Sequence, residues 1–412
     1  MRRLILLLLW GALVAGPSGS LARRTPESAA PARRADRTLK VVELRGHAYA
    51  RGLMHGRALK ADIQLLVQRW KADLHRTTKA DPDAFLAKFL RETDFISTAK
   101  RWTPDLLEEV RGIADGADLP FDTVYAFQLV DELWAYAAEQ DANHCSTVGV
   151  ARTGTAPAFV AQNMDLETFR DGFQAVLHIQ EEGPTPEQFI FTCAGLVALN
   201  GMNNRAIGLV VNTLSQLRSS RDGLPVAFIV RGVLAKTQAE DAIAFLNEVK
   251  HASGQNYLLG AGGRVYDFEA SADKVVALTP DGGGDIVYHT NHPLVNDNHS
   301  ARYAAWLKQQ DPHQTRSGDS PTRYQALEAR FKKAGANVGS EQIKAALRSK
   351  DSERHPVCRP VTPDAPIFTF GSTIMTLSER PVLEVAMGPP DENPYTRFEV
   401  TVLRASKAGA RR

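Results

Sequence analysis

The chain changes character once, and the change falls at a cysteine. From Val41 to Ala138 apolar residues recur at helical spacing, as in "ARGLMHGRALKADIQLLVQRWKADL", which lays one apolar stripe along a helix. From Cys145 onward the chain is made of short β-branched and aromatic runs at hairpin distances, among them "CSTVGVA", "APAFVAQNMD", "AVLHIQ", "QFIFTCAGLVAL" and "AIGLVVNTLS", and these predict strands. "GMNNRAIG" reads as a turn between two of them. Helix returns at 225–234, 239–250, 322–333 and 340–347, and strands at "NYLLG", "RVYDFEAS" and "DIVYHT". A last strand pair, "STIMTLSE" and "VLEVAMG", precedes "YTRFEVTVL". Helices and strands that come in blocks predict an α+β layered fold. Within the helical part, Gly52 and Gly56 predict close approach of a second backbone. Thr103 and Pro104 predict a capped helix start, and Gly116 and Pro120 a break.

The beginning of the chain has a separate character. Charged Met1 to Arg3, apolar Leu4 to Ala15 and the small-x-small site Ser20-Leu21-Ala22 make 1–22 a signal peptide. Nothing later reaches about 18 consecutive apolar residues, so no membrane span is expected. Residues 23–38, basic and rich in Ala and Pro, are expected to be a disordered leader. A mainly helical segment, 39–144, and a strand-rich one, 145–412, then share one domain with a sizeable core. Secretion or export to a periplasm is implied. The formal net charge of +2 owes much to the leader and points to no nucleic-acid partner.

Three cysteines occur, Cys145, Cys193 and Cys358, which leaves one unpaired in an oxidising compartment. Cys193 lies in the apolar run "FIFTCAGLV" and reads as a small buried hydrophobe. Cys358 sits in the proline-flanked "RHPVCRP". Cys145 instead lies between Asn143-His144 and Ser146-Thr147, the accessible polar setting that a nucleophile needs. His289, His292 and His299 lack an acidic constellation at zinc-protease spacing, so no metal is expected. "LGAGGRVYDFE" lies between two strands without a following helix, so it reads as a β-turn and implies no cofactor. No G-x-S-x-G elbow is present. A base for Cys145 exists if the cysteine becomes a chain terminus, because a freed α-amine, with a reference pKa of about 7.7–8.0, then sits on the same residue as the thiol.

In order and spacing, "YARGLMHGRAL", "RGIADGADLPFDTVYA", "HCSTVGV", "AQNMDL", "GMNNRAIGLVVNTL", "GLPVAFIVRGVL", "YHTNHPL" and "STIMTLSERPVLEVAMGPPDENPYTRFEV" resemble the N-terminal-nucleophile (Ntn) hydrolases of the peptidase C45 family. These are similar to acyl-coenzyme A:isopenicillin N acyltransferases and, more distantly, to choloylglycine hydrolases and penicillin V acylases. The resemblance implies a four-layer αββα sandwich whose precursor cuts itself before the cysteine. Residues 39–144 and 145–412 would then be alpha and beta chains that stay associated. It further implies Cys145 as nucleophile, Asp165 as an acid touching the cysteine amine and thiol, Asn291 as the oxyanion amide and Asn212 as a second amide beside it. Gln162 and Asn163 flank the acid as supporting hydrogen-bonders. Arg323 resembles a site-proximal arginine of the choloylglycine group, with a helix-start ion pair as its other reading. His144 stands where the best-known members have glycine, and either assists cleavage as a base or faces solvent. Gln162 replaces an arginine of the choloylglycine hydrolases, which argues against bile salts. The implied reaction is cleavage of a small-molecule N-acyl amide through an acyl-thioester on Cys145. Water as acceptor makes it an amidohydrolase, an amine makes it an acyltransferase, and export, away from coenzyme A, favours water. The alternative of another class is a catalytically silent binding protein on the same fold.

Overall fold

The computed structural model describes residues 37–137, 144–181, 183–279, 285–310, 318–335, 338–362 and 365–400. The expected signal peptide, and the leader up to residue 36, lie outside these. At its end the leader is not free: Arg37 pairs with Asp171 at 2.8 Å and lies over the Phe368 ring.

Among the described residues the strands form two sheets. The first has the order β1 (Lys40–Arg45), β4 (Gln174–Gln180), β5 (Gln188–Cys193), β6 (Asn200–Asn203), β7 (Gly208–Thr213), β8 (Gln255–Ala261), β9 (Arg264–Ala270), β10 (Val275–Leu278). The second runs β11 (Ile286–His289), β2 (Ser146–Val150), β3 (Ala158–Glu167), β12 (Ile367–Leu377), β13 (Val382–Ala386), β14 (Tyr395–Glu399). β1 joins β4 in parallel, with Lys40 opposite Ala175. The sequence reading placed this stretch in the helical segment, because a six-residue strand whose partner lies over a hundred residues away leaves no local signal. β6 takes up Gly201–Asn203, so the expected turn is confined to the residues after it.

Helices α1 (Ala48–Ala58), α2 (Lys60–Thr78), α3 (Pro82–Glu92), α4 (Phe95–Trp102), α5 (Pro104–Ala117), α6 (Phe121–Phe127) and α7 (Val130–Ala137) follow β1. α8 (Val226–Leu234) and α9 (Ala239–Glu248) come between β7 and β8, and α10 (Ala301–Leu307), α11 (Asp319–Ala334) and α12 (Ser340–Leu347) precede β12. No helix among the described residues is long and apolar enough to cross a membrane.

Strand alternation in β3 makes the layering explicit. Phe159 and Ala161 join Val148, Val150 and Ile374 in a cluster with Leu327 and Phe331 of α11 and Ile343 and Leu347 of α12. The intervening Val160 faces the other way, where a side chain at Gly260 of the first sheet would meet it at 2.5 Å. Gly208 likewise lies where a Cβ would be 3.0 Å from Met375 of β12. α8 packs on the opposite face of the first sheet, over β6 and β7. The result is the α+β sandwich, helix–sheet–sheet–helix, expected from the sequence. Gly262 and Gly263, with φ of +60° and +79°, close the β8–β9 hairpin, so that stretch is a turn.

The paired glycines do what their spacing predicts. A Cβ on Gly52 would overlap the Glu109 carbonyl, and one on Gly116 would stand 2.7 Å from the Leu53 carbonyl oxygen, so α1 and α5 touch backbone to backbone. Thr103, by contrast, does not cap α5; its hydroxyl donates back to the Ala99 carbonyl at 3.4 Å. Because the glycine contacts are with main chain, no side chain can move aside. Gly52→Val is therefore expected to cost about 3 kcal/mol or more, read as a drop in Tm, whereas Gly46→Ala, with open space at its Cβ, acts only through its φ of +82°.

Candidate active site

β2 and β3 bring Cys145 to the inside of the sandwich. Ser146 points outward to α11 while Thr147 points toward the first sheet, where it accepts a hydrogen bond from Asn212, so Cys145, one residue earlier, shares the inward face. It is 4% exposed, which corrects the expectation of an accessible polar position: the polar neighbours are engaged elsewhere. The thiol lies 3.5 Å from Met164 Sδ and 3.9 Å from the Asp165 carbonyl oxygen. It lines a cavity of about 30 Å³ with Asp131, Trp134, Met164, Leu166, Val211 and others. Burial, reinforced by the nearby Asp165, pushes the thiol up to about 12, so it is protonated at neutral pH.

Asp165 sits one residue beyond Met164 on β3, and alternation turns its side chain away from the cavity. Oδ1 accepts from Thr369 Oγ1 at 2.7 Å, and Oδ2 is 3.1 Å from Arg359 Nε, an ion pair without hydrogen-bond alignment. The expected contact with the thiol is therefore made by the Asp165 backbone, not its carboxylate. Burial raises the carboxyl to about 6 against the opposing pull of Arg359, then Arg323 and Thr369. It is also wholly buried within a strand, unlike a strand-end turn residue.

Arg323, on α11 and fully buried, joins the pieces. Nη1 donates to the Cys145 carbonyl and to Ser146 Oγ (2.9 Å), Nη2 to Asn291 Oδ1 (3.0 Å), and Nε to Asp319 Oδ1 (2.7 Å) four residues back. Both sequence readings of Arg323, site residue and helix-start ion pair, are realised together. Asp319 also receives His144 Nδ1 at 2.9 Å, His355 Nδ1 at 3.1 Å and the Arg359 guanidinium. Burial opposes its ionisation, yet these partners, His144 and Arg323 foremost, hold the carboxyl well below the usual range. His144 is thus tethered to a carboxylate rather than turned to solvent.

Asn291 follows β11 and bridges the two sheets: Nδ2 donates to the Thr213 carbonyl at 3.0 Å. Its second amide hydrogen has no partner among the described residues. Asn212 is a different case. It faces the sheet interface, opposite to Val211 and Thr213, and Nδ2 is committed to Thr147 Oγ1 (2.8 Å) and Asn256 Oδ1 (3.0 Å), which removes it as a second oxyanion donor. Gln162 links the sheets through the Val211 carbonyl and Asn200 Nδ2, and Asn163 donates outward to the Leu347 and Val357 carbonyls. Both support the strands, and neither touches Cys145. His289 bonds Glu269 at 2.8 Å and His292 bonds Ser320 at 2.8 Å; no metal-competent cluster occurs among the described residues. All three cysteines are free, with Cys193 beside Arg170 and Cys358 donating to Asp391.

Sequence reasoning missed Asp319, Arg359, Thr369 and Asp131. The i,i+4 spacing of Asp319 and Arg323 is a signal that helix geometry offers. Arg359 comes from an irregular loop and Thr369 from a strand far along the chain, and only the folded register brings them to Asp165.

The family described as acyl-coenzyme A:6-aminopenicillanic acid acyl-transferase matches residues 151–378, more than half of the chain. The chain belongs to that family and, with it, to the Ntn hydrolases. A beta-alanyl-dopamine/carcinine hydrolase of Drosophila melanogaster is 28% identical over 170 residues, covering 37% of this chain and 43% of that protein, so the match spans less than half of the relative's length. Among solved structures, an N-acylethanolamine-hydrolyzing acid amidase ortholog of Caenorhabditis elegans aligns at TM-score 0.39 and 16% identity over 56% of this chain and 92% of that one. Penicillin V acylase from Agrobacterium tumefaciens gives 0.38 and 16%, over 62% and 85%. The relatives are amidohydrolases and acyltransferases, and the family is one of amide-acting enzymes.

The Asp165–Arg359 pair makes a pH prediction. Asp165 has a folded pKa of about 6, above its ordinary value of 3.8, so its contribution favours the fold below about pH 4 and is lost as pH rises through 6. Arg359→Gln removes the leading cation that limits this loss. The Tm deficit of Arg359→Gln relative to wild type is therefore expected to widen between pH 4 and pH 7. A deficit constant over that range would mean that Arg359 does not act on Asp165.

Proposed function

We propose that the protein is an exported, self-processing amidohydrolase whose nucleophile is Cys145 and whose substrate is a small N-acyl amide. The observation that carries the reading is the single guanidinium of Arg323, which bonds both the Cys145 carbonyl and the Asn291 amide while the thiol faces a cavity. Membership of an amide-acting family supports it.

In the uncut chain the buried thiol has no base. Attack of Sγ on the His144 carbonyl carbon shifts the acyl group from nitrogen to sulfur, and water then hydrolyses the thioester. His144 becomes the last residue of an alpha chain and Cys145 the first of a beta chain, and the buried surface they share keeps the two together. Asp319 holds the His144 side chain while Arg323 holds the Cys145 carbonyl, so both sides of the scissile bond are fixed before reaction. The freed α-amine then serves as base for the thiol. Turnover repeats the chemistry on substrate: Sγ attacks the amide carbon, the α-amine passes the proton to the leaving nitrogen, and water releases the acid. The second Asn291 N–H is the donor suited to the oxyanion.

Intact mass spectrometry with N-terminal sequencing is expected to find a chain beginning at Cys145 in wild type and only the uncut chain in Cys145→Ala. Active wild type that stays uncut would withdraw the self-processing step. Asn291→Ala is expected to lower kcat by roughly 10²–10³ with little change in KM; a lowered Tm with unchanged turnover per folded molecule would make it a structural bridge only.

A further inference from the structure

A cavity of about 170 Å³ lies between the first sheet and the helices and shares no lining residue with the one at Cys145. Its wall combines the start of α5, the end of α8, Arg51 of α1 and Gln188 of β5. Val230 and Arg231 are neighbours on α8, yet the first lines the Cys145 cavity and the second lines this one. The chemistry above gives it no task.

Two side chains on this wall are buried with polar atoms unmet. Arg231, 3% exposed, commits Nη1 and Nη2 to Glu109 at 2.6 and 3.1 Å, while its Nε has no acceptor among the described residues. Gln188, 1% exposed, has Oε1 buried without a donor, and its amide nitrogen makes no hydrogen bond among those residues either. A buried polar group left unmet is destabilising unless a ligand completes it. The charges on the wall leave one cation over. Arg51 and Arg231 are balanced by Glu109 and Glu181. Lys236, half-buried, makes no ion pair among the described residues, and its Nζ lies over the Phe245 ring at 4.7 Å. Asp105, the remaining acid on the wall, is exposed to solvent, where its charge is screened. α5 begins here at Pro104 with no side-chain cap, which adds the positive end of a 14-residue helix.

We propose that this cavity binds a small carboxylate with an apolar or aromatic body. Donors outnumber acceptors on its inner wall: the Arg231 Nε–H, the Gln188 amide and the Lys236 ammonium have no acceptor among the described residues, and one carboxylate accepts from several donors at once. Trp102 and Phe245, edge to face at 5.9 Å, supply a surface for the apolar body. The volume is below that of a drug-sized pocket, so the ligand is about the size of a single ring with its carboxylate. The site does not depend on the amidohydrolase reading, because it stands whether or not Cys145 is the nucleophile.

Isothermal titration of the purified protein with sodium benzoate, benzamide and sodium acetate tests the site. Benzoate is expected to bind one to one. Benzamide, its neutral isostere, and acetate, which lacks the ring, are each expected to bind at least about tenfold more weakly. Lys236→Met removes the free cation and Gln188→Leu the unmet amide, and each is expected to weaken benzoate binding by about tenfold or more. The absence of benzoate binding to wild type overturns the proposal, as does equal binding of benzamide or acetate. Benzoate affinity that is unchanged in Lys236→Met or in Gln188→Leu overturns it as well, because the benzoate is then held elsewhere. The comparison of the three ligands on wild type decides the matter even where Gln188→Leu fails to fold.

Discussion

A single buried guanidinium holds the candidate site in register. Arg323 comes from the outer helical layer, passes the edge of the second sheet and meets the carbonyl of Cys145, the hydroxyl of Ser146 and the amide oxygen of Asn291, while its Nε returns to Asp319. Taking such a cation out of water is tolerable only because every face of it finds an acceptor. Asp319 in turn is shared with Arg359, which reaches the Asp165 carboxylate. Two carboxylates and two guanidiniums thus form a chain of alternating sign from α11 to β3. Loss of one member leaves an uncompensated charge in the interior, so the four behave as a unit rather than as separable pairs.

The geometry separates two functions by the two faces of a strand. Along β3, residues 160, 164 and 166 face the interior and residues 159, 161 and 163 face the helices. The thiol and its cavity lie on the inner face; the charged chain lies on the outer one. Asp165 belongs to the outer set, and its influence on Cys145 passes through its backbone carbonyl and its field rather than through a side-chain hydrogen bond. A negative field on a buried thiol suppresses its ionisation.

Much of this was legible in the sequence, for reasons that are local. The β3 stretch "AFVAQNMDLE" reads as a strand, and the glycines of α1 betray their contact through a spacing of four. Cys145, Asp165, Asn291 and Arg323 could be nominated by family likeness and do converge. What the sequence hid is set by pairing at long range. β1 is paired only through a parallel register with β4, and Arg359 finds Asp165 across 194 residues of chain, carried there by a loop without periodicity. Asn212 shows the opposite failure: it is a plausible amide by position, but a one-residue alternation in β7 points it at Thr147 and Asn256 instead of the cavity.

The same alternation accounts for the composition of the cavity wall. Thr213 and Val211 are β7 residues on one face, and Thr213 both anchors Asp131 through its hydroxyl and receives Asn291 on its carbonyl. One residue therefore couples Asp131 of α7 with Asn291, which follows β11. Since a strand residue is fixed by its ladder bonds to β8, the distance between those two groups is set by backbone and not by a flexible side chain.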